Sequence, residues 1–304
     1  MSVRALSPRR ARVAALAALA SAALLAQPSG VAAQPAAGSK PAIVHDGTWY
    51  LRASLSTGVA TSTFRYGRPG DIPVMGDWDG DGDDTVGVVR FTGPPGGPFQ
   101  YSWFLRDSNG GGAATIAPFV FGDVRFVAVD QLGTIPVVGD WDGDGDDTVG
   151  VLQYDGALDG PMRWNLRNSN SAGVPDLTFT YSRGRDVPVA GDWDGDGDDT
   201  VGVVREPNRW LLRNSNSGGV ANLSFSYGSG SFLELPVVGD WNGDGSSTPA
   251  VLRNNPATDE SGGFEVWLFR NSNSTGSADG QITYGSDAFE LSPPIEVIPR
   301  LSWR

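Results

Sequence analysis

The 304-residue chain is long enough for one large all-β domain or two small domains. It contains no cysteine and a single histidine, His45, so disulfides, thiol chemistry and histidine-built metal sites are excluded. Its formal net charge of −13 disfavours nucleic acid and anionic membranes as partners and suits cations.

The N-terminal segment has the composition of an export signal. A basic stretch precedes an apolar run over residues 13–25, and small residues follow at Val31 and Ala33. We predict a signal peptide over residues 1–33, a short linker over 34–41 and a secreted mature domain over 42–304. A membrane anchor is the alternative for this segment, but the run is short for a bilayer span, and no later segment is apolar enough to be one.

Short phrases recur along the rest of the chain. A Trp-x-Leu-Arg phrase, an Asn-Ser-Asn-Ser-x-Gly turn and a Phe-x-Tyr-Gly phrase are followed by Pro-Val-Val-Gly-Asp-Trp, an Asp/Gly loop and Val-Gly-Val-Val-Arg. The first phrase begins at Trp49, Trp103, Trp164, Trp210 and Trp267, and the proline phrase at Pro73, Pro136, Pro188 and Pro236. Each phrase reads as a β-strand bounded by turn residues. Four strands in about 50 residues is the size of one β-propeller blade.

The two ends of the chain predict a closed ring. Residues 42–45 align with the second strand of a blade, residues 202–205, and residues 294–303 resemble a first strand, with Trp303 read as the counterpart of the Asp-Trp tryptophans. We therefore predict an all-β fold: a β-propeller of five blades, each of four antiparallel strands, closed by pairing of the N- and C-terminal strands. An open β-solenoid and a stack of small sandwiches are the alternatives.

Four loops carry carboxylates at positions 1, 3 and 5 and glycine at positions 4 and 6, with an asparagine at position 3 of the last loop. Calcium takes six to eight hard oxygen ligands at flexible angles, which this spacing can supply, whereas magnesium demands tighter octahedral geometry. The glycines allow the left-handed dihedrals of a sharp turn. Without a cation such carboxylates repel one another. The alternative is a solvated acidic turn that holds no specific ion.

The Gly-Asp-x-Asp/Asn-Gly-Asp-Gly phrase followed by a strand resembles the FG-GAP/VCBS repeats of integrin α-chain propellers and many secreted bacterial proteins, over residues 42–303. The resemblance implies that loop positions 1, 3, 5, 7 and 9 hold Ca²⁺, position 7 through its carbonyl. Carried over for positions 1 to 7, the ligands are Asp77, Asp79, Asp81, Asp83, Asp140, Asp142, Asp144, Asp146, Asp192, Asp194, Asp196, Asp198, Asp240, Asn242, Asp244 and Ser246. We expect three to four ions, with the loop at Asp240 the weakest because it carries the fewest charges.

The chain departs from that family at position 9, where threonine replaces the usual aspartate: Thr85, Thr148, Thr200 and Thr248. A hydroxyl or a water in place of a carboxylate should weaken binding. Acids at position 8, namely Asp84, Asp147 and Asp199, would compensate only if the loop shifted.

Other recurring residues have two interpretations each. The arginines of the Trp-x-Leu-Arg phrase either form a ring for an anionic ligand or brace nearby turns, and the tryptophans either stack on sugars or pack blades together; we favour the structural role in both cases. His45 occupies an arginine-equivalent position, which also indicates a structural role. No carboxylate pair, Ser-His-Asp triad or phosphate loop is singled out, so we predict that the protein is not an enzyme.

The leading functional hypothesis is a secreted, monomeric, calcium-binding propeller that acts as an extracellular binding or adhesion module for a glycan or a protein. The alternative is a secreted enzyme, or an enzyme's accessory domain, that acts on polysaccharide. The ligand is not written in the sequence, because propellers bind through variable loops.

Overall fold

The computed structural model describes residues 38–94, 98–124, 126–128, 131–154, 160–230, 234–254, 265–284 and 302–303. The predicted signal peptide lies outside these residues. The described chain is built from β-strands: β1 Lys40–His45, β2 Thr48–Leu51, β3 Ser62–Arg65, β4 Ile72–Gly76, β5 Thr85–Thr92, β6 Phe99–Leu105, β7 Phe119–Val124, β8 Phe126–Ala128, β9 Gln131–Leu132, β10 Thr134–Gly139, β11 Thr148–Tyr154, β12 Pro161–Leu166, β13 Leu177–Arg183, β14 Val187–Gly191, β15 Thr200–Arg205, β16 Arg209–Leu212, β17 Leu223–Ser226, β18 Glu234–Gly239, β19 Thr248–Asn254, β20 Glu265–Phe269, β21 Gly280–Thr283 and β22 Ser302–Trp303.

Five four-stranded antiparallel sheets form the blades of a propeller, as the sequence predicts. Blade I is β22-β1-β2-β3, blade II is β4-β5-β6-β7, blade III is β10-β11-β12-β13, blade IV is β14-β15-β16-β17 and blade V is β18-β19-β20-β21. The first strands of the blades contact one another in turn around the ring: β4 contacts β10, β10 contacts β14, β14 contacts β18, β18 contacts β22, and β22 contacts β4. The ring is therefore closed around a central axis. A small ribbon, β8-β9, is inserted between blades II and III.

Blade I is completed by both ends of the chain. In the antiparallel pair β1–β22, Lys40 lies opposite Trp303 and Pro41 opposite Ser302. The predicted closure is confirmed for this pair, while residues 294–301 lie outside the described chain. β1 begins two residues before the predicted domain start at residue 42.

The register corrects one detail of the repeat alignment. In blade II the residue opposite Thr85, the counterpart of Lys40, is Gly76, and the Asp-Trp tryptophan follows two residues later at Trp78. Trp303 lies opposite Lys40. It therefore takes the place of that glycine, and its assignment as a counterpart of Trp78 was wrong.

Tryptophans form the cores of the blades. The tryptophan of each third strand is at most 1% exposed, and its indole N–H donates to a carbonyl in the fourth strand or directly after it, at 2.9–3.4 Å. The Asp-Trp tryptophans at positions 78, 141, 193 and 241 are also buried. These nine side chains pack the blades together, which confirms the structural interpretation and leaves none of them on the surface to stack on a sugar.

The loops between third and fourth strands, hereafter the Asn/Ser loops, are residues 52–61, 106–118, 167–176, 213–222 and 270–279. Their arginines brace them from within: Arg52 donates to the carbonyls of Ser56 at 2.6 Å and Val59 at 2.5 Å, and Arg167 to those of Ser171 at 2.8 Å and Val174 at 2.7 Å. Arg106, Arg213 and Arg270 bind their own loops in the same way. The bracing role is therefore the one the structure shows.

The Asn/Ser loops also cover the outer edges of neighbouring blades. In blade I, the hydroxyl of Thr57 accepts from the amide of Thr283 in blade V at 3.0 Å. In blade V, the hydroxyl of Thr275 accepts from the amide of Ser226 in blade IV at 3.1 Å. Capping an outer strand in this way blocks part of an edge that would otherwise be open to a further strand.

Candidate metal centre

Each acidic loop joins the first strand of a blade to its second, so all four lie at the same end of the propeller. They are named after their blades: loop II (residues 77–84), loop III (140–147), loop IV (192–199) and loop V (240–247). They follow the innermost strands and therefore gather around the axis.

The position-1 aspartate shapes each loop. In loop III, Oδ1 of Asp140 accepts the amide of Gly143 at 2.8 Å and Oδ2 accepts that of Gly145 at 2.9 Å. Gly143 and Gly145 have φ of 71° and 102°, a region that other residues rarely enter. The loop consequently curls back on its first carboxylate, and alternate side chains point to one place.

Three acidic clusters result from this curl. In each, one carboxylate oxygen from every member lies within 4.8 Å of the others: Asp77, Asp79 and Asp81; Asp140, Asp142 and Asp144; Asp192, Asp194 and Asp196. The position-3 and position-5 residues are exposed, whereas position 1 is largely covered. The described residues therefore contain three sites able to hold a metal ion, all from predicted positions 1, 3 and 5.

Loop V has the same backbone with weaker chemistry. Asp240 accepts the amides of Gly243 at 2.7 Å and Gly245 at 2.9 Å, as its counterparts do. At position 3, however, Asn242 donates its side-chain amide to Asp244 at 2.9 Å. With one carboxylate replaced by an amide, this loop attracts a cation less than the other three.

Burial, followed by mutual repulsion, raises the pKa values of five carboxyls in the acidic loops: Asp77, Asp140, Asp142, Asp146 and Asp194. Burial is the main cause for Asp140, and burial followed by Asp144 for Asp142, with a smaller contribution from Asp198 of the next blade. For Asp146, burial and then the hydrogen bond with Asp144 raise the pKa to about 6. The folded loop therefore binds protons more readily than an isolated aspartate does, and a bound cation would relieve the same repulsion.

The position-8 acids hold neighbouring blades together. The amide of Asp147 donates to the carbonyl of Asp77 at 2.6 Å, while Oδ2 of Asp147 accepts the amide of Asp77 at 2.8 Å. Asp199 makes the same two bonds with Asp140, at 2.6 and 3.3 Å. Asp147 and Asp199 are buried. Their hydrogen bonds connect neighbouring blades, which gives the acid at position 8 a structural role separate from the ligand positions of its loop.

Serine takes this role at two further junctions. The amide of Ser247 donates to the carbonyl of Asp192 at 2.6 Å. At the closure, the amide of Ser39 donates to the carbonyl of Asp240 at 2.6 Å, and the Ser39 hydroxyl accepts the amide of Asp240 at 2.9 Å. Ser39, in the segment predicted to be a linker, thus links blade V to blade I.

The position-9 threonines belong to the blade interior. The hydroxyl of Thr85 donates to the carbonyl of Arg106 at 2.7 Å, and that of Thr200 to the carbonyl of Arg213 at 2.7 Å. All four threonines are buried and lie 3.3–3.5 Å from the carbonyl of the last glycine of the first strand. The hydroxyls of Thr85 and Thr200 thus connect the end of the first strand with the residue that follows the third strand.

Asparagines of the Asn/Ser loops approach the acidic clusters. The side-chain amide of Asn168 donates to Oδ2 of Asp142 at 2.7 Å, and that of Asn214 to Oδ2 of Asp194 at 2.5 Å. The Oδ1 atoms of Asn168 and Asn214 are buried and have no hydrogen-bond partner among the described residues. Each cluster in blades III and IV thus has an amide group beside its position-3 carboxylate.

The next asparagine in the same loops ties two blades together. In blade IV, Asn216 donates to the carbonyls of Asp199 at 2.9 Å and of Trp141, in blade III, at 3.3 Å. In blade V, Asn273 donates to those of Ser247 at 3.0 Å and Trp193 at 3.2 Å. From the sequence this asparagine was expected to be a turn residue, and the position-8 acids were expected to act as substitute ligands only if the loop shifted. Their recurrence at a fixed offset was the available signal, but it does not say which blade a side chain reaches.

A cavity of about 390 Å³ opens among the loops. Its walls include the position-1 and position-8 aspartates of loops II, III and IV and glycines of loops III, IV and V. The cavity therefore belongs to the acidic end of the propeller.

The residues fit a hard divalent cation. The clusters offer oxygen atoms alone, and burial followed by crowding raises the pKa values of Asp142 and Asp194. The buried amide oxygens of Asn168 and Asn214 have no hydrogen-bond partner in the described chain.

Comparisons with known proteins leave the family open. No protein-family model matches the chain. Likewise, no curated protein and no solved structure gives a significant match. Within the described residues, no helix is long and apolar enough to cross a membrane. The five-bladed propeller is thus established from the fold, and the FG-GAP/VCBS assignment stays a prediction.

Proposed function

We propose that this protein is a secreted Ca²⁺-binding β-propeller that serves as an extracellular binding module for a glycan or a protein. The observation that carries the proposal is the convergence of three carboxylates to within 4.8 Å in each of three equivalent loops. The repeat phrase and the five-bladed fold support placing the chain near the FG-GAP/VCBS repeats.

The ligands of the proposed ions are the side chains at positions 1, 3 and 5 of loops II to V. Position 7 contributes its carbonyl: Asp83, Asp146, Asp198 and Ser246 in the four loops. Calcium suits this set better than magnesium does, because a flexible loop of carboxylates and carbonyls accommodates six to eight ligands, whereas magnesium keeps most of its water.

The proposed ions would stabilise the end of the propeller at which the blades meet. The carbonyl and amide of Asp140, the position-1 residue of loop III, bind Asp199 in blade IV, so a cation fixed on Asp140 also fixes that junction. Dissociation constants of about 10⁻⁴–10⁻³ M are typical of extracellular calcium modules. Secretion would therefore keep the sites filled, and the Asn/Ser loops beside them would form a rigid surface for a ligand.

The acids outside the loops support a binding role over catalysis. Asp71, Asp186 and Glu234 are each held by an arginine of the adjacent strand. A glycosidase needs two carboxyl groups free to face one substrate. These three acids are committed to ion pairs in separate blades.

Calorimetric titration of the metal-free mature protein tests the metal site. We expect three to four Ca²⁺ ions, loop V the weakest, and clearly weaker binding of Mg²⁺. Asp142→Asn should remove about one ion, and Asp46→Asn, at an exposed turn at the opposite end, should remove none. Absence of calcium binding by the unmodified protein would overturn the proposal.

A glycan array and a panel of extracellular proteins, probed with and without EDTA, test the binding role. A ligand captured only in calcium would support it. Turnover in a parallel polysaccharide hydrolysis screen would instead favour the enzymatic alternative.

A further inference from the structure

The proposed calcium site of loop III has too few ligands within its own loop. Its position-9 residue, Thr148, is buried and donates its hydroxyl to the carbonyl of Gly139. With one oxygen from each of three carboxylates and the position-7 carbonyl, the loop supplies four of the six to eight oxygens that calcium prefers. The remaining ligands are second carboxylate oxygens, water or groups from elsewhere in the fold.

The next blade places a carboxylate directly against this loop. Oδ1 of Asp198, at position 7 of loop IV, lies 2.0 Å from the point that a Cβ on Gly143 would occupy. The backbone amide of Asp198 remains anchored in its own loop, where it donates to Asp196 at 3.2 Å. Glycine at position 143 therefore serves two needs, its φ of 71° and the close approach of this carboxylate.

The Asn/Ser loop of blade III, the blade that carries loop III, supplies a second group. The amide nitrogen of Asn168 lies 2.7 Å from Oδ2 of Asp142, and its buried Oδ1 has no hydrogen-bond partner in the described chain. The two ends of an amide are exchanged by a half-turn of the group. After that turn an oxygen would face Asp142, an arrangement that is repulsive alone and favourable with a cation between them.

We propose that the cation of loop III is held jointly by two blades, with the Asp198 carboxylate and the Asn168 amide oxygen completing the ligands begun by Asp140, Asp142 and Asp144. This rests on the proposed calcium binding. The ion then acts as a crosslink between blades III and IV. The threonine at position 9 is accommodated because ligands from outside the loop replace the carboxylate.

Loops III and IV provide an internal comparison, because they have the same sequence, Asp-Trp-Asp-Gly-Asp-Gly-Asp-Asp. The residue of the next blade that faces loop IV is Ser246, whose Oγ lies 3.0 Å from a Cβ position on Gly195. At loop V the corresponding residue is Gly38, which has no side chain. The cross-blade carboxylate alone should therefore make loop III bind calcium more tightly than loop IV.

Substitution of Asp198 tests the crosslink. In calorimetric titrations of the full mature chain with CaCl₂, Asp198→Asn should weaken one site about tenfold. Asp83→Asn is the matched control, because it changes the same position of loop II. In the preceding blade I the first and second strands, β22 and β1, are far apart in the sequence, so no acidic loop joins them next to Asp83. Asp83 is also exposed, whereas Asp198 is half-buried. Equal effects of the two substitutions would overturn the proposal.

A second test adds a carboxylate, so that the expected result is a gain in calcium affinity rather than a loss. Ser246→Asp should tighten the loop IV site about tenfold, while Asn168→Ala should weaken loop III and Asn168→Asp should retain it. No gain from Ser246→Asp, together with no loss from Asn168→Ala, would show that each loop binds alone. If the unmodified protein binds no calcium, the proposed function itself fails. If it binds calcium but these variants leave the affinity unchanged, only the proposal of a site shared between two blades fails.

Discussion

The acids at the two ends of blades II, IV and V have opposite surroundings. At the start of the first strand, Asp71 receives two hydrogen bonds from Arg90 at 2.7 Å each, and Asp186 receives two from Arg205 at 2.8 and 2.7 Å. At the other end of the same strands, carboxylates of the acidic loops accept hydrogen bonds from backbone amides and asparagine side chains, and Asp146 shares one with Asp144. One end of the blade has its cation built into the sequence as an arginine, and we propose that the other end takes its cation from solution.

The pKa values reflect this difference. At Glu234 burial acts to raise the pKa, but hydrogen bonds from Arg253 and Ser229 outweigh it and hold the pKa below its usual value. In the acidic loops burial and neighbouring carboxylates raise it, as at Asp142 and Asp146. A lowered value marks an acid whose charge is already balanced within the fold. A raised value marks one that a further cation would stabilise.

Blade III has neutral residues in place of the acid–arginine pair at the start of the first strand. Thr134 and Gln153 stand where other blades have the acid and the arginine, and both donate to the carbonyl of Asp123, at 3.1 and 2.7 Å. A neutral hydrogen-bonded group thus serves at this end. At the loop end, three of the four loops keep every carboxylate, which is consistent with a need for charge itself.

Removal of calcium should have the largest effect. Each occupied site adds about 2.7 kcal/mol at a hundredfold excess of free calcium, and about 1 kcal/mol corresponds to 2–4 °C for a domain of this size. EDTA at low salt should therefore lower the melting temperature by more than about 10 °C in a calorimetric scan. Partial recovery in high salt is expected, because salt screens the exposed carboxylates. A melting curve that EDTA does not move would mean that the loops are ordinary acidic turns.

Disruption of a built-in ion pair should have a smaller effect that does not depend on calcium. Asp186→Asn leaves Arg205 without its carboxylate, and a hydrogen bond to a charged group contributes about 1.5–3 kcal/mol. Urea unfolding should show a loss of that size both in calcium and in EDTA. If the loss appeared in calcium alone, the two ends of the blade would be coupled rather than independent.

The position-8 junction should be less sensitive still, and it offers a graded test. Asp147→Ala removes the acceptor for the amide of Asp77, which should cost about 1–3 kcal/mol if that amide is left unpaired. Asp147→Ser should cost less, because Ser39 accepts the amide of Asp240 in the same way at the closure. Chemical denaturation of the two variants gives the comparison. Equal losses would show that the serine junction is not equivalent.

Acidity should produce the smallest effect, and only in the calcium-free protein. The folded pKa of Asp146 is about 6, above the ordinary value of 3.8, so the folded state binds more protons than the unfolded state between these values. The free energy of unfolding should then rise as the pH falls from 7 to about 5, since protonation relieves the repulsion. The rise is modest because Asp146 is partly exposed. Urea titrations at both pH values, with and without calcium, would check it, and a fall without calcium would contradict it.

The repeat made most of the fold predictable. A short phrase rich in Val, Phe, Tyr, Trp and Leu and bounded by turn residues specifies a strand wherever it occurs. Four strands that recur five times can bury their faces only against one another. Closure followed from strand order at the two ends, with one error: Trp303 was aligned by residue type, whereas the backbone register with Lys40 places it at a glycine position.

The acidic loops were predictable for the same local reason. Asp140 binds amides three to five residues ahead, and glycines at positions 4 and 6 permit the turn, so the convergence of positions 1, 3 and 5 is a property of eight consecutive residues. The sequence by itself thus determined the blades, their number and the clusters. Tertiary structure alone decided what lies across a blade boundary: Asp147 beneath loop II, Asp198 against Gly143 and Ser39 at the closure. Residues 55 to 201 positions apart meet there because the blades are packed in a ring, and the distance between blades is not recorded in the spacing of any motif.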